Sequence, residues 1–316
     1  LNSGAPAQAT DELRAAVALA EQRDERDTAD QARLQLANAL IAQARFAEAI
    51  ATARQIVEHG SATNKISAKL IWATALSVEG VDLVGAAQLL QDSINHLPML
   101  LTRDQLAHIQ FELGSIAAQQ GKLEEAIEHY HASLALAEQD PPEMLQYILS
   151  LNNLAYHMLL NGDTSGAHYA ERGLALVREY GMINFQPYLH STLGEIALAR
   201  YEYDEAERQF NAGLELADRL NIRERIAGIT ANLGLLAIAR GQPTRAVHRL
   251  ATAQAQADAL GTNHLAALIR TWLAPLLPPD EAREALAEAR AIAESGGRKH
   301  LLAEIDALEA QLPPAD

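Results

Sequence analysis

The chain contains no cysteine, which excludes disulfide frameworks, zinc–thiolate centres and thiol nucleophiles. Aromatic residues make up only 4 % of it, and alternating runs of Val, Ile and Thr that would mark strands are missing. Basic residues are in the minority, 25 Lys and Arg against 41 Asp and Glu, for a net charge of −16. No basic stripe of the kind that a duplex requires is visible, which argues against nucleic acid as a partner of this segment. The longest apolar stretches, such as LIWATALSV from Leu70 to Val78, are far shorter than a membrane span. The opening LNSGAPAQAT has neither the basic start nor the apolar core of a secretory signal, and no initiating Met. Residues 1–10 are therefore expected to be a linker in a piece of a longer, cytoplasmic protein.

What remains is mostly Ala and Leu within an apolar fraction of 49 %. As a compact globule, a chain of 316 residues would form about two domains of ordinary size. The dominance of strong helix formers points instead to an all-α fold, and an internal repeat gives it a plan. A Leu-Gly pair occurs at Leu113-Gly114, Leu193-Gly194 and Leu233-Gly234, at separations of 80 and 40 residues. Twelve residues after each Gly stands Ala126, Ala206 or Ala246; four later Tyr130, Phe210 or Leu250; three later Ser133, Gly213 or Ala253. A period near 40 marks a stacked repeat.

The frame extends in both directions to seven units, about 31–63, 64–101, 102–141, 142–182, 183–222, 223–262 and 263–297. A half-unit at 11–30 precedes them, an amphipathic closing helix at 298–311 follows, and 312–316 is a tail. Gly121, Gly162 and Gly241 fall between two helical halves, where a helix end favours positive φ. Small residues stand where two helices must approach closely, and bulky ones fill the gap between units.

This pattern resembles the tetratricopeptide repeat (TPR), which shows Leu-Gly, Ala, an aromatic and Ala at these spacings. The resemblance covers residues 11–297, with three departures, one being that the family's Tyr position holds Ala117, Ala197 or Ala237. The family's Trp position holds Gln110, His190 or Thr230, and the unit is about 40 residues where the family has about 34. Long units of this kind resemble the sensor domains of bacterial STAND-type signalling ATPases such as the maltose-regulon activator, and also peptide-sensing regulators and kinesin light chains. The resemblance implies a right-handed TPR-like α-solenoid superhelix with a capping helix at each end.

It also implies that the first helix of each unit lines a concave wall. Positions six, three and two before the Gly and one after it share one helical face. Across the units those positions hold His108, Phe111, Glu112, Asn152, Asn153, Tyr156, Tyr188, Ser191, Glu195 and Asn232, with Trp72 and Trp272 in one column. Such a mixture of aromatics, amides and carboxylates suits a sugar, a peptide backbone or a protein segment. Two blander readings stand beside it: Asn153 and Asn232 as solvated polar positions, and the two tryptophans as packing between units.

Signatures of chemistry are missing. ESGGRKH, Glu294 to His300, lacks the length and the Ser/Thr of a phosphate loop, and no His-Glu-x-x-His occurs. His129 and His131 in EHYHA diverge on a helix and read as a solvated face rather than a metal site. DPPE at Asp140 and LPPD at Leu277 are helix-breaking connections. The expectation is a non-enzyme with no cofactor or metal and no membrane contact. It would be a sensor arm that binds a small-molecule inducer, a peptide or a protein segment and signals to an ATPase or effector module in the same full-length chain. The alternative is a constitutive assembly scaffold without a ligand switch.

Overall fold

The computed structural model describes residues 6–80, 82–96, 98–295 and 299–313, and among these every regular element is a helix. The chain forms two compact units, one ending at Ser150 and the other beginning at Leu151. In the first, α1 (Pro6–Gln22) precedes the pairs α2 (Arg26–Ile41) with α3 (Phe46–His59), α4 (Ala62–Glu79) with α5 (Leu83–His96), and α6 (Arg103–Gln119) with α7 (Leu123–Ala137). Helix α8 (Met144–Leu160) contains the division between the units. The second unit continues with α9 (Ala167–Glu179), then α10 (Gln186–Ala199) with α11 (Tyr203–Arg219), and α12 (Arg223–Ala239) with α13 (Pro243–Leu260). It ends with α14 (Asn263–Leu273), α15 (Pro279–Ser295) and α16 (Lys299–Glu309). Helices α2–α15 thus make seven helix-turn-helix repeats with a further helix at each end.

The repeated residues account for how the pairs close. A Cβ on Gly114 would lie 2.9 Å from the Tyr130 ring, one on Gly194 2.5 Å from the Phe210 ring, and one on Gly234 2.7 Å from Leu250. Ala126, Ala206 and Ala246 are wholly buried, as are Phe210 and Leu250. In these three pairs a knob is therefore set on a bare stretch of backbone, and it joins the buried residues of the next repeat. Phe210 joins Ala206, Ile229 and Leu233, and Leu250 joins Ala253, Ile269 and Leu273.

The turns that close α6, α10 and α12 share one geometry. The amide of Lys122 donates to the Ala117 carbonyl, that of Glu202 to Ala197, and that of Gln242 to Ala237, each at 2.9 Å. This is the Schellman closure of a helix end, and it needs one left-handed residue. Gly121 and Gly241 supply it, but Tyr201 takes the same place with φ 62° and Ala44 an equivalent one with φ 56°.

Several boundaries differ from the sequence expectation. Helix α1 begins at Pro6 and Thr10 is buried, so residues 6–10 are not linker. Residues 1–5 and 314–316, Arg298 of the closing helix, and part of the ESGGRKH segment lie outside the described residues. Helix α2 starts at Arg26, within the stretch read as a half-unit. Pro275 ends α14 early, in a 3-10 turn at Ala274–Leu276.

Candidate functional site

In the first unit the wall residues are partly drawn into packing. Trp72 lies against the core formed by α2, α3 and α4, with the Arg54 guanidinium 4.5 Å above its ring. Its Nε1 is buried without a hydrogen-bond partner. Phe111 leans on the buried Tyr130, ring centroids 5.5 Å apart, while the Tyr130 hydroxyl lies 3.3 Å from Ser115 Oγ. Glu112 is buried, with one oxygen 3.5 Å from His108 Nε2 one turn back.

In the second unit the same helical face carries three small polar groups, each spanning neighbouring repeats. Helices α8, α10 and α12 bring their side chains together across repeats. Thr192 Oγ1 donates to Asn152 Oδ1 at 3.0 Å. Glu195 Oε1 accepts from Ser191 Oγ at 3.0 Å and from Asn232 Nδ2 at 2.9 Å. Asn232 also reaches Ser191 at 3.3 Å. Tyr188 OH donates to Glu224 Oε1 at 2.9 Å, and the Arg225 guanidinium lies 4.3 Å above the Tyr188 ring. The Asn153 carbonyl accepts from His157 Nδ1 at 2.7 Å, and Tyr156 meets the His157 ring edge-on at 5.2 Å.

The electrostatics follow from this partial burial. Desolvation raises the Glu195 carboxyl above its ordinary range, against the opposing pull of Ser191, Arg225 and Asn232. Tyr156 is pushed up to about 12 by burial and by the Glu195 charge. Tyr188 is likewise pushed up to about 12, by burial and by Glu224. Both phenols therefore stay protonated and available as donors at neutral pH.

Of the residues anticipated from sequence, Ser191, Glu195 and Asn232 are joined by hydrogen bonds, while Asn152 pairs separately with Thr192. Trp272, like Trp72, packs on a core cluster, here the one formed by α12, α13 and α14. Thr192, Glu224 and Arg225 were missed. Glu224 and Arg225 stand one turn before the chosen columns, and extending the same i, i+3, i+4 stripe by that turn reaches them. The EHYHA reading needs correction at one residue. His129 is half-buried and its Nδ1 lies 2.7 Å from Gln110 Oε1, whereas His131 is exposed. Eighty residues on, the same contact recurs with the residues exchanged: His190 Nδ1 lies 2.7 Å from Gln209 Oε1. Polar pairs therefore fill the place where the resemblance leads one to look for a Trp.

Paired helices closed by a glycine under a bulky residue, stacked at a 40-residue period, define a TPR-like α-solenoid. Comparison with known proteins agrees: residues 107–140 match the tetratricopeptide repeat family model. Similar solved structures include a Rap protein complexed with competence and sporulation factor, at 18 % identity and TM-score 0.67 over 87 % of this chain and 79 % of that one. NprR in complex with its cognate peptide NprX is similar at 14 % identity and TM-score 0.64, covering 92 % and 85 %. The STAND protein PH0952 from Pyrococcus horikoshii, a signal transduction ATPase with a tetratricopeptide repeat sensor, is similar at 14 % identity and TM-score 0.63. That match covers 90 % of this chain and 44 % of PH0952. No curated protein sequence matches the chain. Among the described residues no helix is long and apolar enough to cross a membrane.

Proposed function

We propose that the chain is the ligand-binding sensor segment of a larger cytoplasmic signalling regulator, and that its first-helix wall receives a peptide, a protein segment or a small inducer. The observation that carries this reading is the cluster of Ser191, Glu195 and Asn232 with Asn152 and Thr192. Its members stand at positions that vary from repeat to repeat, and they meet one another across neighbouring repeats. A solenoid gathers side chains from successive repeats onto one partner. Similarity in fold to a Rap protein and to NprR, each solved with a bound factor or peptide, supports the reading. Similarity to a STAND protein with a repeat sensor supports an ATPase or effector module in the same chain.

The test begins with mass spectrometry of molecules that co-purify with the protein. The molecule found is then titrated calorimetrically into wild type and into the Asn153→Ala, Tyr156→Ala double variant. Loss of buried hydrogen-bonding groups of this kind costs about 1–3 kcal/mol, or roughly a tenfold to hundredfold weaker Kd. Unchanged affinity in a folded double variant would remove the site from this wall.

A further inference from the structure

We propose that the groove between the second helices α9 and α11 docks an acidic amphipathic helix of a protein partner, one of whose glutamates takes the place beside Arg200 that Glu207 holds beside Arg240. The groove uses a different face of α10 from the one that carries Ser191 and Glu195. The next repeat supplies the comparison. In the seam between α11 and α13, Glu207 accepts from Arg240 and, at 2.9 Å, from Arg245, while Asp204 accepts from Arg240 at 2.6 Å. Forty residues earlier stand Ala167 for Glu207, Thr164 for Asp204 and Glu205 for Arg245, but the first arginine is kept, as Arg200. Arg200 therefore pairs with no carboxylate among the described residues; it donates to the Thr164 carbonyl at 2.6 Å. Beside it lies an open groove of about 630 Å³, with Ala167, Leu174, Leu193 and Ile196 among its lining residues.

Two further features mark the same place. Arg178, also in the lining, makes no ion pair among the described residues. Tyr201 stands between Arg200 and Glu202, both of which line the groove, in the left-handed conformation, φ 62°, that Gly241 supplies one repeat later. It is 78 % exposed. A non-glycine residue in that conformation costs stability, and an aromatic kept there in water is a mark of function more than of packing. Tyr and Arg are also the residues that most often anchor protein interfaces. The lining then chooses the occupant. Glu171, Glu202 and Glu205 would repel a free polyanion such as phosphate, whereas a single carboxylate on an apolar stem copies what Glu207 does in the next seam. The filler there projects from a helix, and the groove far exceeds one side chain in volume. Apolar residues three and four positions from the incoming glutamate can therefore lie on Leu174, Leu193 and Ile196.

The experiment is affinity selection with mass-spectrometric readout on the full chain, using two pools of stapled helices of about four turns. In one pool each helix carries a central glutamate, with Leu, Ile or Ala varied three and four residues to either side; the other differs only in having glutamine at the centre. Wild type should retain the glutamate pool about tenfold better, the value of one charge-assisted contact. Arg200→Gln, checked for unchanged helical circular dichroism, should bring the glutamate pool down to the glutamine level. Ala167→Glu installs the side chain that the next repeat carries. It should abolish retention of both pools with Tm at or above that of wild type, because Arg200 then finds its carboxylate within the chain. Tyr201→Gly should weaken retention of the glutamate pool about tenfold, although it relieves the backbone. The Asn153→Ala, Tyr156→Ala variant should retain both pools as wild type does. Retention lost in that variant but kept in Ala167→Glu would assign the helices to the first-helix wall and overturn this inference. Equal retention of the two pools by wild type, or retention of neither, would overturn it as well. Neither of these last two outcomes touches the wall, whose ligand is sought by co-purification.

Discussion

Replacing Gly194 by Ala tests the packing rule of the whole chain with one methyl group. The new Cβ would fall 2.5 Å from both Cδ1 and Cε1 of Phe210 and 3.1 Å from its Cγ, about 1 Å inside ordinary carbon–carbon contact. The ring cannot swing aside, because it is wholly buried against Ala206, Ile229, Leu233 and Leu236. Two effects oppose each other. Ala in place of Gly inside a helix favours folding by about 1 kcal/mol. Forcing a methyl into a filled core costs about 1–3 kcal/mol, and a rigid aromatic neighbour puts this case at the upper end. The net expectation is a loss of about 1–2 kcal/mol, or a fall in Tm of about 1.5–3 °C for a chain of this length. Gly228→Ala is the matched control. It lies inside α12, a first helix like α10, and a Cβ at that position would meet nothing within 4 Å, so only the propensity gain applies and Tm should rise. Adding Phe210→Leu to Gly194→Ala should recover part of the loss. Thermal unfolding followed by circular dichroism decides the matter. If Gly194→Ala matched or exceeded wild type while Gly228→Ala rose, the close approach of α10 and α11 would not be what the repeated glycine serves.

Tyr201→Gly should raise stability by about 0.5–1 kcal/mol, because Tyr201 holds a left-handed turn position, φ 62°, that Gly121 and Gly241 fill elsewhere; chemical denaturation would register it as a higher midpoint. Stability should also fall as pH drops from about 7.5 to about 5.5. His129, His157 and His190 are all held below the ordinary imidazole value of 6.5, burial being the largest cause in each. The unfolded chain therefore takes up protons first, so their contribution is present above that value and is lost as pH falls through the lower folded values. Glu195 acts in the opposite sense: its raised carboxyl is protonated earlier in the folded chain, and stability is regained as pH falls through the folded value towards the ordinary one. Substituting His157 by Gln should flatten the upper part of the Tm–pH curve, and an unaltered slope would assign it to other groups.

Much of the scaffold could be read directly because its contacts are encoded at fixed separations. Gly194, Ala206 and Phe210 lie within one helix pair, so a steric rule acting across a single turn leaves a trace in the sequence. Turn positions were legible where Gly marked them and invisible at Tyr201 and Ala44, where the same hydrogen bonds impose the conformation on residues that do not advertise it. On the wall, helical spacing sufficed to place Asn152, Ser191, Glu195 and Asn232 on one face. It left Trp72 open between ligand contact and packing and did not show that Phe111 leans on Tyr130, because an aromatic at the border of a face can lie either way, and the neighbours that decide come from other helices. Nothing in the sequence singles out Arg225 in the first turn of α12; its stacking on Tyr188 depends on the preceding repeat.

Near-identical helices in one chain risk docking on the wrong neighbours as they fold, and Arg270 works against that error. Its guanidinium is buried on α14 between Asp258 of α13, at 2.9 Å, and Glu288 of α15, at 2.6 Å. Two repeats earlier the counterpart of Asp258 is Arg178, and that of Glu288, in the register that sets Ala282 and Leu286 on Ala206 and Phe210, is Ala212. Were α14 to settle where α10 belongs, Arg270 would lose both carboxylates and face a like charge in place of one of them, and stranding a buried charge in this way costs about 3–5 kcal/mol. That exceeds what interchangeable Ala and Leu contacts could return. The charge thus serves as an address, telling one copy of a repeated sentence from another while the chain is still choosing its neighbours.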